Sequence, residues 1–265
     1  MNNNDVTAEN YFSPENNLKY MGSSQFKAFQ KCEAAALAEI KGEYVRPVSD
    51  ALLIGSFVDS HFEGTLDIFK DKHKEILKND GTLKSKYQHA EYMIQRAERD
   101  KLFMEYMSGE KQKIFTGKIA GIPFKIKVDS YHPECIVDLK CMKDFENIWN
   151  DDEHKKQHFI INWGYHIQGA IYREIVRQNT GNTLPFYIAG LTKEKPEPDI
   201  KIYWVPDNIL DDVLEEVKGL APRFQKIKNR EITPQRCEKC AWCRRTKVLA
   251  APVNFLEECE VYEVE

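Results

Sequence analysis

The stretch KVDSYHPECIVDLKCMK, residues 127–143, constrains the fold more than any other part of this chain. Two β-branched runs flank Pro133, whose fixed φ suits the second position of a four-residue turn at residues 132–135. Counting outward from this turn places Asp129 directly opposite Asp138 on one face of a sheet. The stretch therefore predicts an antiparallel hairpin that carries two opposed carboxylates.

Lys140 shares the carboxylate face, because side chains alternate along a strand. The other face then carries core residues: Val128, Val137 and Leu139. Like charges directly opposite each other destabilise a sheet, and a hard divalent cation with oxygen ligands would offset the repulsion. An ammonium beside such a cation can stabilise a developing negative charge or help to position a water. The alternative is a solvent-facing hairpin with ordinary surface charges, which the spacing alone does not exclude.

The rest of the chain alternates between helical and strand-like patterns. Apolar residues recur at helical spacing in the segments 23–42, 49–64, 83–109, 162–181 and 207–229. Alternating β-branched residues predict three strands of a meander within residues 111–141, and two more strands at 184–193 and 200–206. Residues 144–158 are rich in charge and predict a loop and a helix. This order predicts an α/β protein with a central mixed sheet, in which an antiparallel meander is flanked by helices.

Composition sets only broad limits on function. The length of 265 residues and the 42% hydrophobic content predict one large domain with a sizeable core. The net charge of −4 neither supports nor excludes nucleic acid, because a local basic groove or a bridging metal ion can still bind an anion. No apolar run approaches the ~18 residues of a membrane span, and the first residues do not resemble a signal peptide. We therefore expect a soluble, cytoplasmic protein without a membrane partner.

The segment VDSYHPECIVDLK resembles the signature of the PD-(D/E)XK nuclease superfamily, in which an Asp is followed after a gap by Asp-x-Lys. Three further segments match in the same order. SSQFKAFQKC resembles the first helix of the family, GSFVDSHFEG the Gly-x-x-x-His helix of RecB-like members, and GYHIQGAIY the Gln-x-x-x-Tyr helix. The nearest similarity is to phage and prophage exonucleases of RecE type. It implies a restriction-endonuclease-like core, with a polar N-terminal arm at 1–20, the nuclease domain at 21–246 and a C-terminal tail at 247–265.

The resemblance implies an active site on the hairpin and the helix that follows it. The catalytic residues would be Asp129, Asp138, Lys140, Gln168 and Tyr172. The two carboxylates and the backbone carbonyl of Leu139 would bind one or two Mg²⁺ or Mn²⁺ ions, and the ammonium would support the attacking water or the developing charge. In the family, the Gln and the Tyr face the active site and the phosphate backbone. The alternative for these two residues is a packing face with a polar tip.

The helix before the sheet departs from the family pattern. Four positions after Gly55 this chain has Asp59 rather than His, and His61 follows two positions later. Residues two apart on a helix point about 200° apart, so only one of them can face the metal. Asp59 holds the family position and is a competent oxygen ligand, so we expect Asp59 to complete the metal site.

Three of the seven cysteines, Cys237, Cys240 and Cys243, have a spacing typical of metal sites and need a fourth ligand from elsewhere. Some RecB-like nucleases bind a four-iron cluster through one early and three late cysteines. The resemblance therefore implies Cys32 as the fourth ligand and a structural [4Fe–4S] cluster. A Zn²⁺ ion is the rival interpretation, and unliganded thiols are the third. The other cysteines are expected to be ordinary thiols: Cys135, Cys141 and Cys259.

Together the motifs imply a metal-dependent DNA exonuclease that hydrolyses phosphodiester bonds from the ends of linear double-stranded DNA. By resemblance, its partner would be a single-strand annealing protein of RecT type, and it would act in phage recombination inside a bacterial host cell. Two alternatives stay open. One is a non-catalytic DNA-binding module of the same fold, which would use CAWCRRTK as its contact. The other is an endonuclease of restriction or CRISPR-adaptation type. A homo-oligomer is compatible with each of them.

Overall fold

The computed structural model describes residues 6–151, 153–252 and 254–255 of the chain. Its strands are β1 Glu110–Ile119, β2 Ile122–Tyr131, β3 Ile136–Met142, β4 Ile148–Asn150, β5 Lys155–Gln157, β6 Phe186–Thr192 and β7 Ile200–Val205. Five of them form one sheet in the order β1-β2-β3-β6-β7. β1, β2 and β3 make an antiparallel meander, β6 lies parallel to β3, and β7 pairs antiparallel with β6. The predicted central mixed sheet is confirmed.

Helices cover both faces of this sheet. The helices within the described residues are α1 Pro14–Lys19, α2 Ser23–Lys31, α3 Glu33–Ile40, α4 Asp50–Phe62, α5 Leu66–Lys72, α6 Ser85–Glu98, α7 Lys101–Tyr106, α8 Phe159–Asn162, α9 Tyr165–Thr180, α10 Asp207–Lys228 and α11 Ala241–Arg245. One hydrophobic core joins α2, α3, α9 and α10 to the sheet, and a second core joins α4, α6 and α7 to its opposite face. The predicted α/β class is therefore confirmed. No helix of the described ranges is long and apolar enough to cross a membrane.

The β2–β3 hairpin begins with the register that the turn at Pro133 predicts. Position 131 lies opposite position 136, and position 130 lies opposite position 137. The ladder between these two strands, as far as it is described, ends there. The carboxylate of Asp129 instead accepts a hydrogen bond from the backbone N–H of Leu139 at 2.9 Å. A side chain thus replaces the main-chain partner at the point where the hairpin carries its charges.

The prediction that Val128, Val137 and Leu139 share one face of the sheet is wrong. Val128 packs in the core beneath α9, whereas Val137 and Leu139 pack in the core beneath α4 and α6. The pairing of β1 with β2 omits the pair of Gln112 and Asp129, and Gln112 has a φ of 52°. The pairs on either side, Lys111 with Ser130 and Lys113 with Val128, keep the same register, so no residue is inserted and the departure from regular pairing is confined to this position.

Two predicted helices are interrupted. The single helix predicted for residues 23–42 is wrong, because Cys32 is extended, with φ −166° and ψ 108°, and separates α2 from α3. The single helix predicted for residues 83–109 is wrong for a similar reason. Asp100 leaves the helical conformation, and its carboxylate accepts a hydrogen bond from the N–H of Phe103 as the N-cap of α7.

Residues 144–158 also differ from the prediction of a loop and a helix. They contain the short hairpin of β4 and β5, in which Ile148 lies opposite Gln157. The side chain of Asn150 closes this hairpin by donating to Gln157 Oε1 at 3.0 Å. The charged residues of this segment therefore belong to a short, largely exposed β-hairpin and not to a helix.

Residues 6–20, the described part of the polar N-terminal arm, pack against the body of the protein. Two buried lysines fasten this segment. Lys125 of β2 donates to Asn17 Oδ1 at 2.8 Å, and Lys228 of α10 donates to the Tyr20 carbonyl at 2.8 Å. The arm thereby becomes part of the wall beside β2.

Candidate active site

A cleft of about 870 Å³ opens where β2 and β3 diverge. Its walls come from the N-terminal arm, α2, α3, α4 and α9, and its floor comes from the two strands. The predicted site residues all line this cleft: Asp59, Asp129, Asp138, Leu139, Lys140, Gln168 and Tyr172. The fold thus brings together side chains from four separate elements.

Asp138 is the buried centre of the site, with 1% of its surface exposed. Its Oδ1 accepts a hydrogen bond from Gln168 Nε2 at 2.6 Å, and its Oδ2 forms an ion pair with Lys140. Lys140 Nζ also donates to the Leu139 carbonyl at 3.1 Å. Burial opposes the charge on Lys140, but Asp138 and Asp129 raise the pKa of its ammonium, so it stays protonated.

Asp59 of α4 brings a third carboxylate into the cleft, whereas His61 does not line it. His61 Nε2 lies 2.8 Å from Glu98 Oε1 on α6, and its ring packs against Phe62. The structure therefore places the two candidate helix residues in different surroundings, as their helical spacing predicts.

The three carboxylates disfavour one another's charge. Burial, together with the charges of Asp129 and Asp138, raises the pKa of Asp59 well above its usual range, although Lys140 opposes the shift. Burial also raises the pKa of Asp138; Lys140 lowers it and Asp129 raises it further. Lys140 thus does not fully offset the effects of burial and of the neighbouring carboxylates on Asp59 and Asp138. A donor set of carboxylate and carbonyl oxygens fits a hard divalent cation, which would relieve the repulsion.

Gln168 and Tyr172 lie one turn apart on α9, and both are buried. Gln168 donates to Asp138, as described above, and the Tyr172 hydroxyl donates to the Lys127 carbonyl at 3.0 Å. These polar groups hold β2 and β3 at the cleft. Both residues therefore line the cleft and also contact its strands, and their predicted role at the phosphate backbone stays a prediction.

Sequence reasoning missed the basic residues of the cleft. Lys125 and Lys127 line it beside Asp129, because the run KIKVD puts them on alternate positions of β2. That period-two signal was present in the sequence. Lys27 of α2 lies near Lys140. Burial is the main cause that lowers the pKa of Lys27 to about 8, and the positive charge of Lys140 lowers it further. The spacing of residues along the chain does not predict that Lys27 lies near Lys140.

A second cluster lies at the other end of α2. The sulfur atoms of Cys32, Cys237, Cys240 and Cys243 all lie within 4.8 Å of one another. Cys243 Sγ is 3.5 Å from Cys32 Sγ and 4.0 Å from Cys237 Sγ. The extended conformation of Cys32 explains the break between α2 and α3, since it directs this thiol to the C-terminal segment. A four-cysteine cluster is therefore present.

The four thiols of this cluster differ in acidity, because burial raises the pKa values of Cys32, Cys240 and Cys243 whereas that of Cys237 is lowered. Burial acts against ionisation of Cys237, but the backbone N–H groups of Cys240 and Lys239 lower its pKa to about 7. Cys135 and Cys141 are free and lie outside the cluster. Cys259 lies outside the described residues.

Comparison with known proteins is consistent with this geometry. A family model described as a PDDEXK-like domain of unknown function (DUF3799) matches residues 22–246. A crystal structure of a protein named "Putative exonuclease" from Eubacterium rectale superposes with a TM-score of 0.90. The two sequences are 45% identical, and the match covers 98% of this chain and 99% of that chain. No curated protein matches the sequence.

Proposed function

The chain belongs to the PD-(D/E)XK nuclease superfamily, and from this premise we propose that it is a metal-dependent exonuclease acting on the ends of linear double-stranded DNA. The observation that carries the proposal is the cleft that Asp59, Asp129, Asp138 and Lys140 line together, with Lys140 paired to Asp138. The name of the Eubacterium rectale protein, which is 45% identical along nearly the whole chain, supports the exonuclease class.

In this proposal Lys140 acts on the reacting phosphate. Its ammonium is kept charged by Asp138 and would stabilise the negative charge that develops on the phosphate oxygens, or hold the attacking water. Gln168 fixes the Asp138 carboxylate from the opposite side. Because these donors are held by hydrogen bonds before substrate binds, little reorganisation is needed during the reaction.

The metal would be Mg²⁺ or Mn²⁺. Its ligands would be Asp59, Asp129, Asp138 and the Leu139 carbonyl, which together offer the oxygen atoms that these ions prefer. Such an ion, when bound, lowers the pKa of a water and polarises the scissile phosphate.

For the cysteine cluster we propose a single structural Zn²⁺ ion. A tetrahedral ion with metal–sulfur bonds of about 2.3 Å holds its sulfur atoms about 3.8 Å apart. The separations of 3.5 Å and 4.0 Å from Cys243 to Cys32 and Cys237 lie on either side of that value. The [4Fe–4S] cluster that the family resemblance implies is larger than one ion and would require the sulfurs to move apart.

The wider biological setting stays a prediction. A RecT-type annealing partner and a role in phage recombination are proposed from the family resemblance, and a homo-oligomer is compatible with either. The interaction with a RecT-type protein is tested by co-purification of that protein with this chain.

The nuclease proposal is tested by incubating an end-labelled linear duplex and a covalently closed circle with the protein, with and without Mg²⁺. We expect the linear duplex to be degraded only with Mg²⁺ and the circle to persist. Asp138→Ala and Lys140→Ala should each abolish degradation, whereas His61→Ala, on the same helix as Asp59, should retain it. Undiminished cleavage by Asp138→Ala would remove the proposed site. Rapid linearisation of the circle would replace the exonuclease by an endonuclease.

A further inference from the structure

Five residues form a series from the active site to the surface, in which one of the links runs through a backbone carbonyl. Lys140 Nζ lies 5.3 Å from the centre of the Tyr165 ring, and Lys27 Nζ lies 5.4 Å from the same ring. Lys27 Nζ also donates to the Trp163 carbonyl at 3.3 Å, and Lys31 Nζ lies 5.8 Å from the Trp163 ring. We call this series, which alternates between cations and aromatic rings, the lysine–aromatic track.

The outer end of the track is open to solvent. Trp163 exposes 47% of its surface, so its ring is accessible to a ligand. Lys31 is exposed on the last turn of α2. Within the described part of the chain, neither Lys27 nor Lys31 forms an ion pair with a carboxylate. The track therefore offers positive charge and a partly exposed aromatic ring at its outer end.

We propose that the lysine–aromatic track binds the single strand of DNA adjacent to the scissile bond, with a base stacked on Trp163 and phosphates beside Lys27 and Lys31. This inference rests on the proposed nuclease function, because the track starts at Lys140. A positively charged path with interleaved aromatic rings suits a single strand, since every base has a face that can stack and every nucleotide carries a phosphate. A duplex keeps its base faces stacked on one another and presents only its backbone.

The geometry fixes the direction of the path. Lys27 serves both ends of the track: its ammonium lies over Tyr165, which Lys140 also contacts, and it bonds the backbone of Trp163. A strand that leaves the reacting phosphate can therefore meet Tyr165 and Lys27 first, and then Trp163 and Lys31. The α2–α9 junction, rather than the arm wall, would carry the strand away from the cleft.

The test measures binding of fluorescein-labelled dT20 in EDTA, where no metal supports hydrolysis. Trp163→Ala should weaken binding about ten-fold or more, because stacking of one base contributes about 1–3 kcal/mol. Trp163→Phe should retain most of the affinity. Lys31→Ala should lower the slope of log affinity against log salt by about 0.7, the value for one phosphate contact to a single strand. Trp204→Ala and Lys226→Ala are matched controls, since both residues are exposed away from the track, and neither should change binding.

Each outcome bears on the proposal. Affinity of Trp163→Ala within two-fold of wild type, at an unchanged melting temperature, would overturn the track. An equal loss of affinity for a blunt 20-base-pair duplex would overturn its assignment to a single strand. The nuclease function fails separately, if the wild-type protein does not cleave DNA with Mg²⁺; weakened dT20 binding by Trp163→Ala would then still support a strand-binding track.

Discussion

Asp59 differs from the other carboxylates of the cleft in what holds it. Asp129 accepts a main-chain hydrogen bond, and Asp138 is held by Gln168 and Lys140. Among the residues that the structure describes, the Asp59 carboxylate has no hydrogen bond or ion pair of this kind. Its charge is therefore the least compensated of the three, and a cation would change its energy most.

Asp59→Asn is expected to raise the melting temperature in EDTA by about 2–4 °C, equivalent to about 1 kcal/mol for a chain of this size. The folded-state pKa of Asp59 is raised, so its ionisation costs stability once the pH exceeds the unfolded-state pKa. The gain should therefore be present at pH 8 and absent near pH 4. Mg²⁺ should stabilise the wild type and not the variant. Differential scanning fluorimetry measures each quantity.

Asp212→Asn, on the exposed face of α10, is the matched control. It should not change the melting temperature in EDTA or in Mg²⁺. A variant at Asp59 that melts below the wild type in EDTA would contradict the assignment of an uncompensated charge.

The positions of the charged site residues are easier to predict from sequence than the face of the sheet on which each apolar residue packs. Asp138 and Lys140 could be placed together because their spacing matches the period of a strand. The partition of Val128 from Val137 could not be predicted, because it depends on the irregular pairing opposite Gln112. That irregularity has no Gly or Pro to mark it.

At the scale of elements, the cause of the break between α2 and α3 is visible only in the three-dimensional structure. The run EAAALAEI is helix-forming, and no breaker precedes it. Cys32 leaves the helix because its thiol contacts the segment that carries α11. Asp100, by contrast, is a helix-capping residue type, so the break before α7 could have been predicted from sequence.

Cys240→Ser is expected to remove the metal of the cysteine cluster and to lower the melting temperature, because a three-ligand site binds more weakly and the metal links α3 to α11. Elemental analysis of the wild type should give about one zinc per chain and a colourless protein. Cys135→Ser, outside the cluster, should keep the zinc. Iron with absorbance near 400 nm would instead establish the cluster of the family resemblance, and a metal-free wild type prepared without oxygen would contradict both.

At the scale of the whole molecule, two buried lysines make stability depend on pH. Burial lowers the pKa of Lys228 to about 7 and that of Lys125 to about 8, below the ordinary value of 10.5. Between these values and 10.5 the unfolded chain binds more protons than the folded protein. The free energy of unfolding should therefore rise with pH, by at most about 1.4 kcal/mol per pH unit for each lysine.

Lys228→Gln should flatten this rise between pH 7 and pH 9, whereas Lys226→Gln, two residues earlier on α10 and exposed, should leave it unchanged. Urea unfolding at pH 7, 8 and 9 gives the slopes. Other titrating groups are common to both variants, so the difference between them isolates Lys228. Equal slopes for the two variants would contradict the lowered pKa of Lys228.

The contacts of Cys32 also set an order of events during synthesis. The partner of the Cys32 thiol, Cys243, lies 211 positions later in the chain. Glu33 accepts a hydrogen bond from the backbone N–H of Gln235, which lies 202 positions after it. At about 5–20 residues per second, a ribosome needs about 10–40 s to deliver them. The meander can fold in that interval, but α3, which forms one wall of the cleft, has no anchor at its first turn. A chain that terminates before Gln235 would lack these contacts, so the attachment of this wall of the cleft is completed only when translation is nearly finished.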